Sequence, residues 1–283
     1  MMESRNFSLV LLLVMGLVLP CAAQTGSENM RQRISMEGEM TSGDVSAEVA
    51  FGREIAARIL GRLKVYNDPA LIKYVNLVGL SLLRTSSRPE LKFHFTVLDS
   101  REINAYAAPG GYVFVTLGAI RLMKDEAELA GVLAHEISHI AEMHVVKELK
   151  IKGTDDSITS VAHLVGGSSD AARVAFSQAV DQGVEMIFKD EYKRGDELQA
   201  DKSAVILCAL NGYDASALAR YLERARTIKG EIADTGESHP SFTTRIAQIN
   251  DVIAKDGVDA SKAASNQKRF VATMKASKLS SPR

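Results

Sequence analysis

Only two cysteines, Cys21 and Cys208, occur in the 283 residues. Two thiols make at most one bridge, which excludes a disulfide-framed scaffold, and a four-thiolate zinc ribbon goes with it. Neither sign of charge is in surplus: 34 basic against 35 acidic residues leave a formal net charge of −1. That balance gives no general attraction to nucleic acid or to an anionic membrane surface. The apolar run near the N-terminus, Phe7 to Leu19, falls short of the roughly 20 residues a membrane-spanning helix needs. Proline is scarce, six in all and none between Pro109 and Pro240, so nothing of that kind interrupts a long helical stretch. What remains, 46% hydrophobic and 24% charged, suits one globular domain with a large core. Any metal site must be built from His, Asp and Glu, with six histidines to draw on.

Residues 1–23 read as a secretory signal peptide. Arg5 is its positive region, Phe7 to Leu19 its apolar core, and Pro20-Cys21-Ala22-Ala23 its small-residue end, with cleavage after Ala23. The alternatives are an uncleaved anchor and a membrane-anchored lipoprotein through Cys21; Pro20 directly before that cysteine disfavours lipidation. Residues 24–45 form a flexible lead-in, 46–252 the main domain, and 253–283 a Lys- and Ala-rich tail expected as a loose, partly exposed helix.

Within the domain, apolar spacing predicts helices over 46–64 and 69–85, the second opened by Pro69. The period then drops to two in Leu91 to Val97, as in a half-buried strand, and Tyr112 to Thr116 follows the Pro109-Gly110-Gly111 turn as a second strand. Helices are expected over 124–150, 171–190, 191–210 and 214–228, and Gly166-Gly167-Ser168-Ser169 marks a link. The Gly/Ser content of 153–170 suggests a lid. The expected class is α+β, mostly helical around a small sheet.

Inside the 124–150 helix, expected to bury one apolar face through Leu129, Leu133, Ile137 and Ile140, sits His135-Glu136-Ile137-Ser138-His139, an HExxH. Four residues turn a helix by about 400°, so both imidazoles lie on one face, one turn apart, and reach one small cation. Glu136 points to one side, placed to take a proton from water beside the metal without ligating it. A third ligand is needed. His144 lies about 180° round a continuous helix from His135 and faces away, while Glu142 lies about 10 Å along the axis, too far for the same ion. Glu197 and Asp201, four apart on a second helix, offer a ligand and a carboxylate to orient a ligand histidine. On spacing alone that reading weighs equally with a solvated acidic face of Asp196, Glu197 and Asp201.

Several separated motifs run in one order: Ile103-Asn104-Ala105-Tyr106-Ala107-Ala108-Pro109-Gly110-Gly111-Tyr112-Val113-Phe114-Val115, the HExxH with His144 following, Arg194 with Glu197 and Asp201, Asn211-Gly212-Tyr213-Asp214, and Ser238-His239-Pro240 with Arg245-Ile246. With them the chain resembles the M48 zinc metallopeptidases, a gluzincin family, in the branch of BepA/LoiP-type and Oma1-like proteases. The resemblance implies a zincin-like domain holding one zinc on His135, His139 and Glu197, with Glu136 as general base and Asp201 as the orienting carboxylate. His239 and Arg245 match positions beside the site. His239 would donate to the oxyanion or cap the zinc at rest; it is otherwise a residue leading into a helix. The strand after Gly110-Gly111 looks like the edge to which a substrate peptide adds, making Asn104, Gly110, Gly111, Tyr112, Val113 and Phe114 substrate-binding. His94 and His163 match no role.

The implied activity is a zinc-dependent metalloendopeptidase of the bacterial periplasm, acting on extended or misfolded envelope polypeptides. No nucleic-acid partner is expected, and the resemblance leaves room for peripheral association with the outer membrane or its assembly machinery. The rival is a non-proteolytic, zinc-stabilised chaperone or assembly factor; a different zinc hydrolase, such as an amidase, is a third.

Overall fold

The computed structural model describes residues 41–151, 170–189, 192–231, 240–255, 263–277 and 279. The signal peptide 1–23, most of the lead-in, the expected lid (Asp170 apart), His163 and His239 lie outside the described residues.

Helix α1 (Ser42–Arg62) starts four residues before its expected position because Thr41 and Asp44 close a reciprocal capping box. Helix α2 (Pro69–Leu82) opens on Pro69, with Asp68 Oδ1 accepting from the Leu71 N–H at 3.0 Å. Strands β1 (His94–Leu98), β2 (Ala105–Ala108) and β3 (Tyr112–Thr116) make one sheet in the order β1-β3-β2. β1 runs parallel to β3, pairing His94 with Tyr112; β2 runs antiparallel, pairing Ala105 with Val115. The burial alternation of Leu91 to Val97 is as expected, but pairing begins only at His94.

Helices α3 (Leu117–Leu122), α4 (Glu126–Ala141), α5 (His144–Glu148), α6 (Asp170–Phe188), α7 (Arg194–Leu210), α8 (Ala217–Lys229), α9 (Phe242–Lys255) and α10 (Gln267–Ala276), with a 3-10 turn at Leu83–Thr85 after α2, complete the described elements. The sheet divides two cores. Phe95, Val113 and Val115 face Leu71, Leu129, Leu133 and Ile137, while Tyr106, Phe114 and Leu98 face Phe51, Ile55, Val184 and Ile187. Both faces of the sheet are therefore covered by helices, and the period-two pattern of β3 sorts its residues between them.

Two expectations change here. α4 is not one-sided: every residue from Glu126 to Ala141 is buried, because α2, α7, α8 and the sheet all pack against it. The C-terminal tail is not loose where it is described. Phe270 and Met274 of α10 sit in the main core, and Glu126 accepts from Tyr74, Tyr213, Asn266 and Arg269, tying that helix to the start of α4.

Gly110 and Gly111, at φ 74° and 98°, make the turn between β2 and β3 in a conformation that a side chain opposes. Gly52 lets α1 lie against that turn; a Cβ there would sit 1.7 Å from the Pro109 carbonyl oxygen. Glu48, buried in an ion pair with Arg88 at 2.7 Å, accepts the Gly110 N–H at 3.0 Å.

Candidate active site

His135, Glu136 and His139 lie on α4, Glu197 and Asp201 on α7, and Arg245 on α9. The Asp125 carboxylate caps α4 by accepting from the Glu128 N–H at 2.9 Å. The far end of α4 is held to α7 through Glu142, which accepts from Gln199 at 2.6 Å and Ser203 at 3.1 Å. This packing brings Glu197 to the two histidines. His135 Nε2 and His139 Nε2 are 3.0 Å apart, and the carboxylate of Glu197 reaches them at 3.6 and 3.2 Å. The edge of a tetrahedron with zinc–nitrogen bonds of the usual length is about 3.3 Å, so the three groups converge at cation-binding spacing. Glu197 Oε1 is buried without a hydrogen-bond partner among the described residues, as a ligand oxygen would be. Among the described residues this is the cluster of His, Cys, Asp and Glu that meets metal-site spacing. Glu197 is 2% exposed and Asp201 0%, which sets aside a solvated acidic face for these two.

Behind the ligand atoms, Asp201 Oδ1 lies 3.0 Å from His135 Nδ1, leaving Nε2 of that ring unprotonated toward the cluster. Arg245 donates to Asp201 through Nε at 2.8 Å and Nη2 at 2.7 Å, and to Glu197 through Nη1 at 3.0 Å. Burial pushes both carboxylates up, but Arg245 together with the site histidines outweighs it and holds Asp201 below, and Glu197 well below, the ordinary carboxylate value. Burial and Arg245 push His135 down, and Asp201 and Glu197 reverse the balance and raise it.

His144 does not face away. α4 ends at Ala141, Met143 adopts φ 59°, and the chain restarts as α5 at His144. That left-handed residue turns the His144 ring back so that its Nδ1 lies 2.9 Å from His139 Nδ1. Burial, then the neighbouring His139, pushes His144 down to about 3. Tyr192 stacks on His139 with ring centroids 4.1 Å apart.

The cleft beside the cluster is lined by Ile103 to Ala107 and by Val132, Leu218, Tyr221, Leu222 and Phe242, with Glu136 and Arg245 also in its lining. The expected edge strand is corrected. β3 is the central strand, bonded on both sides, so Tyr112, Val113 and Phe114 have no backbone edge to offer a peptide. The Gly110 N–H is taken by Glu48, and the Gly111 carbonyl accepts from His94. The strand at the cleft is β2, which the sequence did not reveal because Ala-Tyr-Ala-Ala has weak strand propensity. The Pro109-Gly110-Gly111 turn was the available signal, since a tight turn entering a strand implies an antiparallel partner before it. Asn104 does line the cleft. Tyr192 and Tyr221 are further residues of the site that sequence reasoning missed; burial, then Glu136, pushes the Tyr221 phenol up. His94 stands apart, stacked on Tyr112 at 5.4 Å.

The sequence profile described as Peptidase family M48 matches residues 69–253. The chain is similar to the beta-barrel assembly-enhancing protease of Escherichia coli (strain K12), at 26% identity over 77% of this chain and 45% of that protein. It is similar to the mitochondrial metalloendopeptidase OMA1 of Schizosaccharomyces pombe, at 26% over 63% of this chain and 52% of the relative. It is also similar to metalloprotease LoiP of Escherichia coli, at 25% over 58% and 64% respectively. The chain thus spans roughly half the length of the first two and under two thirds of the third.

Proposed function

The chain belongs to peptidase family M48, and we propose that it is a zinc-dependent metalloendopeptidase with one zinc per chain on His135, His139 and Glu197. The convergence of those three buried side chains beside Glu136 and an open cleft carries the reading. Zinc held there supplies Lewis acidity to the scissile carbonyl and to the attacking water. Glu136 takes the proton from that water and delivers it to the leaving amine. Asp201 fixes the His135 tautomer, and Arg245 keeps both α7 carboxylates ionised. The wall formed by β2 favours an extended polypeptide, recognised through its backbone with little demand on sequence. His239 is retained as a cleft residue on the family pattern alone.

Envelope proteins that are misfolded or still extended are the proposed substrates, and the name of the E. coli relative in barrel assembly is the ground for placing them near the outer membrane. Periplasmic export through the leader, with lipid attachment at Cys21 as the alternative, completes the proposal. Residues 46–252 are taken as the peptidase domain. Among the described residues no helix is long and apolar enough to cross a membrane.

The test is metal analysis with digestion of unfolded casein. Wild type should hold about one zinc per chain and cleave; Glu136→Gln should hold the zinc and cleave nothing. Hydrolysis by that variant would overturn the mechanism. The rival is a non-proteolytic chaperone or assembly factor. It predicts that Glu136→Gln restores a deletion strain, whereas a protease predicts that it does not. A carboxylate lining the cleft beside both histidines favours the protease, because a structural site has no use for a base.

A further inference from the structure

Each histidine of the cluster has two ring nitrogens, and a neutral imidazole that gives one to a metal carries its hydrogen on the other. For His135 the second nitrogen meets a carboxylate, Asp201. For His139 it meets another imidazole: its Nδ1 lies 2.9 Å from Nδ1 of His144. Two nitrogens at that distance share one hydrogen, since two N–H groups pointed at each other would repel. With His139 Nε2 turned to Glu197 and His135, the shared hydrogen belongs to His139, and His144 must accept it.

The surroundings are built for this. His144 is 4% exposed and His139 3%, so water does not compete for the bond. The left-handed Met143 places the ring, and Tyr192 stacks on His139 from another side, with a 6.4 Å centroid distance to His144. Among the described residues the buried Nε2 of His144 makes no close hydrogen bond; Gln199 stands near the ring and the Asp196 carboxylate lies 3.8 Å away. A core histidine of no consequence would be oriented by that outer nitrogen. Here the well-made contact is the one to the metal-site ring.

We propose that His144 is a positioning residue for the metal centre: it accepts the Nδ1–H of His139 and so holds that ring in the tautomer and orientation needed for Nε2 to ligate zinc. The site then has an asymmetric outer shell, with a charged acceptor behind His135 and a neutral one behind His139. The inference rests on the zinc reading of the cluster.

Two nearly isosteric replacements separate the acceptor from mere packing. In His144→Asn the amide oxygen falls where Nδ1 was, as many bonds from the backbone; in His144→Leu a methyl group does. Both leave the same space unfilled. Zinc affinity is read by chelator competition on the purified full chain, with thermal unfolding of the metal-free proteins alongside. His144→Leu should lose about 10–100-fold in zinc affinity, the usual cost of removing such a partner, and His144→Asn should recover most of it. The metal-free midpoints of the two should agree. Equal zinc affinity in the two variants would overturn the proposal, whether both match wild type or both fall. If the pair does not fold, His144→Asp against His144→Ile makes the same comparison, an oxygen and a methyl group again as many bonds from the backbone as Nδ1. A wild-type chain that binds no zinc would remove the proposed function and this inference together; a zinc-binding, active wild type with indistinguishable variants removes this inference alone.

Discussion

Arg245 and Asp201 meet in a two-pronged ion pair, Nε to Oδ2 at 2.8 Å and Nη2 to Oδ1 at 2.7 Å. The third nitrogen of the guanidinium, Nη1, reaches Glu197 at 3.0 Å. One cation on α9 therefore compensates two buried carboxylates on α7, one turn apart. Its planar fork suits that task in a way a lysine ammonium would not.

Removing that cation should be costly. Arg245→Met leaves Glu197 and Asp201 buried side by side with no guanidinium between them. Breaking a buried pair by deleting one partner typically costs about 3–5 kcal/mol. Urea unfolding of the metal-free protein should show a loss of that order, and Arg245→Lys should recover only part. A loss below about 1 kcal/mol, the range of an exposed pair, would mean the clamp is not what keeps the carboxylates charged.

A second carboxylate, remote from the metal cluster, makes stability depend on pH. Burial pushes Glu126 up, but Arg269 and Tyr74 outweigh it and hold its carboxyl below the usual value. In the unfolded chain a glutamate titrates near 4.3, so the unfolded state takes up the proton first. The stabilisation is complete above that pH and is lost as pH falls through it toward the folded value. Melting temperatures measured from pH 6 down to pH 3 should fall for wild type and fall less steeply for Arg269→Leu. The Arg269 side chain is 61% exposed, so screening keeps the difference modest. Parallel curves would show that Arg269 does not set the Glu126 titration.

The assignment of β2, rather than β3, to the cleft makes a claim about substrates. If an extended peptide adds beside Ala105 to Ala108, it does so through its amides. Methylating one peptide nitrogen that donates there removes one hydrogen bond, worth about 1 kcal/mol and about fivefold in binding. KM for a short unfolded substrate should rise by about that factor at alternate positions only, since successive amides of a strand point opposite ways. An effect of equal size at every position, or at none, would exclude pairing at this edge.

The HExxH helix, the period-two strands and the α+β class were legible because each depends on spacing within a few residues. Two histidines four apart share a helix face whatever surrounds them, and Val113, Phe114 and Val115 alternate between two sides of any sheet they join. The Pro69 and Asp68 start of α2 was legible for the same reason. Reading α4 as a longer helix with one apolar face failed. Glu126, Glu128 and Glu136 of that helix, and Glu142 at its C-cap, lie in the interior, and partners from distant elements hold several of them there.

Tertiary structure decided the rest. Whether Glu197 was a ligand or part of a solvated face depended on α7 packing against α4, a contact between segments some sixty residues apart. His144 changed sides because a single left-handed residue, Met143, ended the helix that the spacing argument had continued. The central place of β3 came from a parallel partner, β1, and an antiparallel one, β2, neither of which a local pattern specifies. By itself the sequence determined which side chains share a helix face or a strand face, because backbone geometry sets that over one or two turns. Which of those faces meet, and hence which carboxylate closes the site and which imidazole stands behind it, follows from long-range packing, and no periodicity encodes that.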